Sequence, residues 1–286
     1  PENDWFFSSL FDDVSFDGAV EAEKTGQDLN ALYPAELHRA YHQEERVQQL
    51  YQLIYQPSNT PIAIVGPEGV GKHTVIQEVV WRYESGRYGK RNGRRQRIWH
   101  IDPTRLIAGM SVVGMWQKRL EAIIEFIRHP AGPRKPGDKL LIDNPVALLR
   151  IGKSAQNEMT LSDVLRPYLE KRQLHLLLIA TPEEWKTLQE KGRRFSGLFR
   201  VIRMEEPDMN TAVRIILEKR RQLERDNRNQ IQIQAIEQLL SIQRNYLQHK
   251  PLPGSVIKLM EQLSAKYRYA VIDAPEVRQE FRDYSG

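Results

Sequence analysis

The sequence predicts an α/β fold, in which a five-stranded parallel sheet is covered by helices on both faces, followed by a small all-helical unit. Five short segments are almost wholly apolar and are separated by helical patterns, which is typical of parallel strands buried on both faces. A glycine-rich turn joins the first of these segments directly to a helix. After Pro207, three helical patterns follow with no strand-like segment between them. We therefore expect a three-layer sandwich and a helical lid.

Each predicted element rests on its own spacing of apolar residues. Helices are predicted where apolar residues recur every three or four positions, as in QEERVQQLYQLIY from residue 43 and KHTVIQEVVWRY from residue 72. Thr160 and Asp163 suit the start of a further helix. The five predicted strands are TPIAIVG, QRIWHID, KLLID, HLLLIAT and FRVIRM, and the lid helices are TAVRIILEKRRQLERD, AIEQLLSIQRNYL and GSVIKLMEQLSAKYRY. These elements divide the chain into an acidic, aromatic N-terminal arm (residues 1–27), a large α/β subdomain (28–206) and a helical lid with the C-terminal tail (207–286).

Composition excludes several classes of protein. The 286 residues are 40% hydrophobic and contain no cysteine, so disulfide frameworks and thiolate metal sites are excluded. No segment has the roughly 18 consecutive apolar residues of a membrane span, and we expect a cytoplasmic protein without membrane contact. Since the sequence begins with Pro1, we expect it to be part of a longer chain. The net charge of +5 conceals an acidic stretch, because residues 1–25 hold seven carboxylates and one lysine.

The segment GPEGVGKHT follows the first predicted strand and begins the next helix. It matches the pattern G-x-x-x-x-G-K, in which backbone N–H groups and a helix N-terminus face phosphate while the lysine neutralises it. The predicted phosphate-binding residues are Gly66, Pro67, Glu68, Gly69, Val70, Gly71, Lys72, His73 and Thr74. His73 stands where a serine or threonine hydroxyl normally ligates Mg²⁺, and Thr74 points about 100° around the helix. Either His73 contacts phosphate itself, or metal is held mainly through Asp143.

Asp143 and Asn144 close the strand segment LLIDNP. An Asp-Glu pair at this place holds Mg²⁺ and polarises the attacking water in many phosphate-splitting enzymes. Asn144 cannot accept a proton from water, because an amide is not a base. The sequence therefore predicts a protein that binds a nucleotide and cleaves it poorly, with Asp143 as the metal ligand and no assigned catalytic residue.

With these motifs in hand, the chain resembles the first AAA+ module of ClpA/ClpB-type unfoldases from about residue 28 to residue 268. Beyond GPEGVGKH, the resemblance rests on RLIAGMSVVGMWQKRLEAII, LSDVLRPYLEKRQLHLLLIATPEEWKTLQEK, RVIRMEEPDMNTAVRIILEKRRQLE and LPGSVIKLMEQLSA. It implies a five-stranded sheet, a helical lid, ATP or ADP at a subunit boundary and assembly into a ring. It places Tyr41 and His42 near the adenine and Thr181 at the strand end that carries the sensor.

The departures from the family pattern fall on the groups that carry out hydrolysis. Asn144 replaces the water-polarising Glu, Pro182 follows Thr181 at the sensor position, and Ser255 replaces a lysine of the lid. Val112 matches the aromatic residue of the pore loop. Gly197 and Leu198 stand in place of the paired arginines that reach the neighbouring site, while Arg193 and Arg194 lie a few residues upstream, where they either substitute or belong to a solvated loop.

Three functions follow from these patterns. The first is a ClpB-like module that binds ATP or ADP with weak or absent hydrolysis and weakened Mg²⁺ binding, acting as a structural or regulatory, oligomerising or partner-binding unit. The second is an active AAA+ ATPase of a protein-remodelling machine. The third, less favoured, is a nucleic-acid-associated protein that uses the basic loop 82–97. Either the N-terminal arm or this loop is the candidate surface for a protein partner, within a homo-oligomeric ring or a larger complex.

Overall fold

The computed structural model describes residues 15–86, 95–108, 115–129, 137–153 and 158–285. The chain divides into two compact units. Unit 1 comprises residues 1–37, 50–65 and 79–202, and unit 2 comprises residues 38–49, 66–78 and 203–286. Among the described residues, no helix is long and apolar enough to cross a membrane.

A six-stranded sheet organises the α/β part of the chain. Its strands are β1 (Gly26–Asp28), β2 (Ile62–Val65), β3 (Ile98–Ile101), β4 (Lys139–Ile142), β5 (His175–Ala180) and β6 (Arg200–Arg203), arranged in the order β1-β3-β4-β5-β2-β6. Strands β3, β4, β5 and β2 pair in parallel, whereas β1 pairs antiparallel with β3. Because parallel strands end at the same edge, the segments that follow β2 and β4 leave the sheet from one side.

Helices cover the sheet. They are α1 (Gly18–Thr25), α2 (Glu44–Tyr55), α3 (Lys72–Glu84), α4 (Pro103–Ile107), α5 (Met115–Arg128), α6 (Leu161–Glu170), α7 (Pro182–Lys191) and α8 (Arg193–Ser196), with 3₁₀ turns at Leu29–Leu32 and Ala147–Leu149. All the residues of β2, β4 and β5 are buried. The apolar stripe of α5 is buried as its spacing predicts, namely Trp116, Leu120, Ile123, Ile124 and Ile127.

The rest of unit 2 is mainly helical. It contains α9 (Met209–Asn227), α10 (Ile233–Tyr246), α11 (Gly254–Lys266) and α12 (Ala274–Ser285), together with the short strands β7 (Gln230–Ile231) and β8 (Val271–Ile272). Its core joins residues of α9, α10, α11 and α12, including Ile216, Leu239, Met260 and Val277. The Asn229 side chain links the segment after α9 to α11, because its amide donates to the carbonyl and the hydroxyl of Ser264, both at 2.9 Å.

The α/β fold class and the helical lid are confirmed, and the structure adds strands to both parts. β1 has the sequence GQD and lacks an apolar pattern, so its place at the sheet edge depends on pairing with β3. β7 and β8 are two residues each and pair in parallel. Segments this short carry no periodicity, and their pairing depends on tertiary contacts.

Candidate functional site

The predicted phosphate loop has the backbone conformation that its glycines allow. Gly66 follows β2 directly, and Gly69 and Gly71 have φ angles of +85° and +95°. These angles belong to the left-handed region, where glycine carries no Cβ penalty. α3 then begins at Lys72, and Val75 N donates to Gly71 O at 2.9 Å. Left-handed glycines followed at once by a helix N-terminus are the local geometry that the glycine-rich pattern predicts.

The Lys72 ammonium group is held by the loop itself. Lys72 Nζ donates to Gly66 O at 2.6 Å and to Pro67 O at 2.8 Å. The residue is buried, whereas His73 and Glu68 are exposed and Thr74 is half-buried. A buried ammonium requires partners, and these carbonyls provide two. The cation is thus fixed within the loop, at the place where the pattern predicts the outer phosphates.

The first residue of α11 lies against the phosphate loop. A Cβ added to Gly254 would lie 2.3 Å from Gly69 O and 2.6 Å from Gly69 Cα. The turn before α11 is anchored, because Leu252 N donates to Glu206 Oε1 at 2.6 Å and Ser255 Oγ donates to Pro251 O at 3.0 Å. The lid helix and the loop thus approach backbone to backbone, and glycine permits this approach.

Hydrogen bonds to α3 position the segment that leads to Tyr41 and His42. Arg39 Nε and Nη2 donate to the two carboxylate oxygens of Glu78 at 2.6 and 3.2 Å, and Ala40 N donates to Glu78 Oε2 at 3.3 Å. Glu78 is 1% exposed, so this bidentate pair is well shielded from solvent. The sequence analysis missed both residues, because their pairing is a long-range contact without a local pattern.

Tyr41 and His42 follow this anchored segment. Burial raises the pKa of the Tyr41 hydroxyl, which keeps it a hydrogen-bond donor at neutral pH. His42 is exposed and has a φ of +55°. A cavity of about 460 Å³ opens beside it, and carboxylate residues dominate its lining, namely Glu44, Glu45, Glu205, Glu206 and Asp208. Phosphate is disfavoured in such acidic surroundings.

In unit 1, Asp143 follows β4 and pairs with a histidine of the neighbouring strand. His100 Nε2 lies 3.1 Å from Asp143 Oδ2, with the two side chains 27% and 34% exposed. The register aligns His100 with Leu141, two residues before Asp143. The sequence analysis did not include His100 among the site residues. Its position next to the end of β3 is the signal that could have predicted a contact with Asp143.

Asn144 and Thr181 both use their side chains in local turns. Ala147 N donates to Asn144 Oδ1 at 3.2 Å, at the start of the 3₁₀ turn. Glu184 N donates to Thr181 Oγ1 at 3.2 Å, while Thr181 N donates to Glu184 Oε2 at 2.7 Å. The second arrangement is a capping box, with Pro182 in the first turn of α7. Both predicted site residues therefore cap structural turns.

Some predicted interaction elements lie partly or wholly outside the described residues. These are Val112 of the pore-loop match, residues 1–14 of the N-terminal arm and residues 87–94 of the basic loop. At the described ends of the loop, Arg95 pairs with Glu84 at 2.7 Å and Arg97 with Asp28 at 3.4 Å. These two arginines therefore form ion pairs within the protein.

Comparison with known proteins finds chaperone relatives, although no family model matches the chain. The chain is 24% identical over 264 residues to the chaperone protein ClpB of Bacteroides thetaiotaomicron, covering 92% of this chain and 30% of that protein. It is 24% identical over 234 residues to the heat shock protein hsp98 of Neurospora crassa, covering 82% of this chain and 25% of the relative. The chain thus spans less than a third of the length of these relatives.

Two solved structures of Hsp104 are similar in fold to this chain. One is a closed-state reconstruction of Hsp104 with ATPγS and FITC casein, with a TM-score of 0.74, 20% identity, and coverage of 90% of this chain and 44% of that one. The other is the Saccharomyces cerevisiae Hsp104–ADP complex, with a TM-score of 0.71, 20% identity, and coverage of 86% and 34%. Sequence likeness and fold thus agree over most of the chain.

Proposed function

We propose, on the premise that this chain is a ClpB-type AAA+ module, that it binds ATP or ADP and hydrolyses ATP slowly or not at all. Its role would be that of a structural or regulatory unit within an oligomer or a larger complex. The phosphates would bind at Gly66–Thr74, and the adenine would lie near Tyr41 and His42.

The observation that carries nucleotide binding is the geometry of the phosphate loop. Gly69 and Gly71 have left-handed backbone angles, and Lys72 is held among the loop carbonyls. These features depend on the backbone and on one cation, and none of them requires the groups that polarise water. The loop can therefore retain affinity for phosphate after catalysis is lost.

Weak hydrolysis follows from the residues at the catalytic positions. Asn144 offers an amide and already caps a turn. Gly197 and Leu198 supply no guanidinium, and a trans arginine contributes on the order of 10³ to 10⁵ in rate in related phosphoryl-transfer enzymes. Loss of both contributions leaves little turnover.

Magnesium would contribute less to binding than in an ordinary ATPase. His73 supplies no hydroxyl, and the carboxylate of Asp143 pairs with His100 in this structure. A nitrogen ligand is a poor substitute for oxygen at Mg²⁺. We expect omission of Mg²⁺ to weaken ATP binding by less than about 10-fold, that is, by less than about 1.4 kcal/mol.

Calorimetric titration with ATP and ADP, with and without Mg²⁺, tests the proposal alongside a phosphate-release assay on the same sample. We expect binding without ordinary AAA+ turnover, and loss of binding in Lys72→Ala. Lys186→Ala is the matched control, because Lys186 is 77% exposed and its nearest carboxylate partner lies 3.9 Å away. Phosphate release at ordinary AAA+ rates that Lys72→Ala abolishes would refute weak hydrolysis, and absence of binding would refute the whole proposal.

An active protein-remodelling ATPase is the second candidate, favoured by the chaperone names of the relatives and by the casein-containing Hsp104 structure. Other groups would then serve the water in place of Asn144. This candidate predicts ordinary ATP turnover that Asn144→Glu leaves nearly unchanged. The two candidates therefore differ in the turnover of the unmodified chain.

A further inference from the structure

A cleft of about 570 Å³ lies in unit 1. Three parts of the chain line it: the turn after β4, the first turns of α6, and the end of α7 with α8. We call it the basic cleft, because its lining has six cationic residues against three carboxylates, an excess of three positive charges. The cationic residues are Arg150, Lys153, Arg166, Lys191, Arg193 and Arg194, and the carboxylates are Glu158, Asp163 and Glu190.

Among the described residues, most of these cations form no ion pair. Within the part of the chain that the structure describes, ion pairs of the basic cleft involve Arg166, which lies 3.8 Å from both Asp163 and Glu170. The other five cations form none there. Asp163 is already engaged, because the Thr160 hydroxyl donates to it at 2.7 Å. Cations gathered around one cleft repel one another and create a positive potential that attracts an acidic partner.

The cleft also has apolar lining residues, Val146, Leu149 and Phe195. Phe195 is buried and Leu149 half-buried. A small inorganic anion would use the cations and leave this apolar surface uncovered. An acidic polypeptide with apolar side chains would use both parts.

The sequence itself contains a segment of this chemistry. Residues 1–13, PENDWFFSSLFDD, combine four carboxylates with one tryptophan and three phenylalanines and contain no lysine or arginine. We propose that the basic cleft binds this acidic aromatic segment of a second copy of the chain. Carboxylates would meet Arg193 and Arg194, and an aromatic side chain would cover the apolar floor near Phe195.

The test is fluorescence anisotropy with a labelled synthetic peptide, PENDWFFSSLFDD, titrated with the full chain. Arg193→Glu/Arg194→Glu should weaken binding by at least about 10-fold, since it inverts two exposed cations of the cleft. Lys171→Glu/Arg172→Glu is the matched control, because it makes the same charge change at two adjacent exposed residues that do not line the cleft. It should remain within about 2-fold of the unmodified chain, and thermal melting should be unchanged in both variants.

Two altered peptides separate the charged and apolar contributions. Replacing the four carboxylates with amides should abolish binding, and replacing the four aromatic residues with alanine should weaken it by at least about 10-fold. The proposal would be overturned if the two charge-reversed proteins lost peptide affinity equally. It would also be overturned if tripolyphosphate displaced the labelled peptide at the same concentration as unlabelled peptide does.

Association in trans needs its own measurement. The charge-reversed cleft variant and a full chain with Glu2→Gln, Asp4→Asn, Asp12→Asn and Asp13→Asn should each self-associate less than the unmodified chain. An equimolar mixture should regain association by sedimentation, because one variant retains the segment and the other retains the cleft. Failure of the mixture to do so would overturn binding to a second copy. Lys72→Ala should leave peptide binding intact, so failure of the proposed nucleotide function remains distinguishable.

Discussion

Replacing Gly254 with alanine tests whether the contact between α11 and the phosphate loop governs nucleotide binding. The new Cβ would lie 2.3 Å from Gly69 O and 2.8 Å from Gly69 C. These atoms belong to the backbone, so a side-chain rotation cannot relieve the clash. Since ordinary contacts of this kind are roughly 3.4 Å, the helix or the loop must move by about 1 Å.

The magnitude follows from the cost of overpacking. Extra methyl groups in well-packed regions destabilise proteins by about 1–3 kcal/mol, which corresponds to a fall in melting temperature of roughly 3–10 °C for a chain of this size. If the loop yields, its amides lose their alignment towards phosphate. A loss of about 1.4–2.8 kcal/mol of binding energy would weaken ATP affinity by about 10- to 100-fold.

Calorimetry with ATP and thermal melting together measure the two effects of Gly254→Ala. Ser255→Ala is the control, because it changes the next residue of the same helix and adds no atom. It loses the hydrogen bond to Pro251 O, at a cost of about 1 kcal/mol, and should leave ATP affinity within about 2-fold. A Gly254→Ala protein with unchanged melting temperature and unchanged ATP affinity would refute the argued coupling.

Three further substitutions test the energetics of the fold. Burial lowers the pKa of Lys139 to about 8 from 10.5, a cost of about 3 kcal/mol at neutral pH, so Lys139→Met should stabilise the chain against urea by roughly 2–3 kcal/mol. Between pH 8 and 10.5 the unfolded chain binds one proton more than the folded chain, so the free energy of unfolding of the unmodified chain should rise with pH across that window. An equal rise in Lys139→Met would contradict the assignment of this effect to Lys139. Asn30→Ala should destabilise by about 2–4 kcal/mol in the same assay, because the buried Asn30 side chain bonds Glu84 and Ile98 N; a loss below about 1 kcal/mol would count against it. Arg228 ends α9 with a φ of +52°, so Arg228→Gly should raise the free energy of unfolding by about 1 kcal/mol, and a decrease would disprove strain there.

The sequence predicts the elements whose apolar spacing is strong. The five residues of the apolar stripe of α5 are all buried, because a single stripe is the face that an amphipathic helix packs against the core. The helix start at Thr160 and Asp163 is also confirmed, since the Thr160 N–H donates to Asp163 at 3.0 Å. Local patterns predict these features because the interacting groups are close in sequence.

Contacts between distant segments were not predictable in the same way. The Arg39–Glu78 pair and the His100–Asp143 pair join residues about 40 positions apart. Both depend on which elements become neighbours, and one sequence does not give that order directly. The edge strand β1 was missed for the same reason, because its sequence lacks the apolar alternation of a strand.

Asn144 and Thr181 both make local structural contacts. Asn144 caps the 3₁₀ turn after β4, and Thr181 caps α7 through a reciprocal bond with Glu184. A carboxylate at position 144 would therefore replace the neutral amide that caps this turn. It would leave Pro182, Gly197 and Leu198 unchanged. The phosphate loop is different, because its glycines have left-handed backbone angles and Lys72 is held by the loop carbonyls, which is the basis of the nucleotide binding proposed above. Under the proposed function, a loop of this geometry, together with positions used for capping, favours nucleotide binding over turnover.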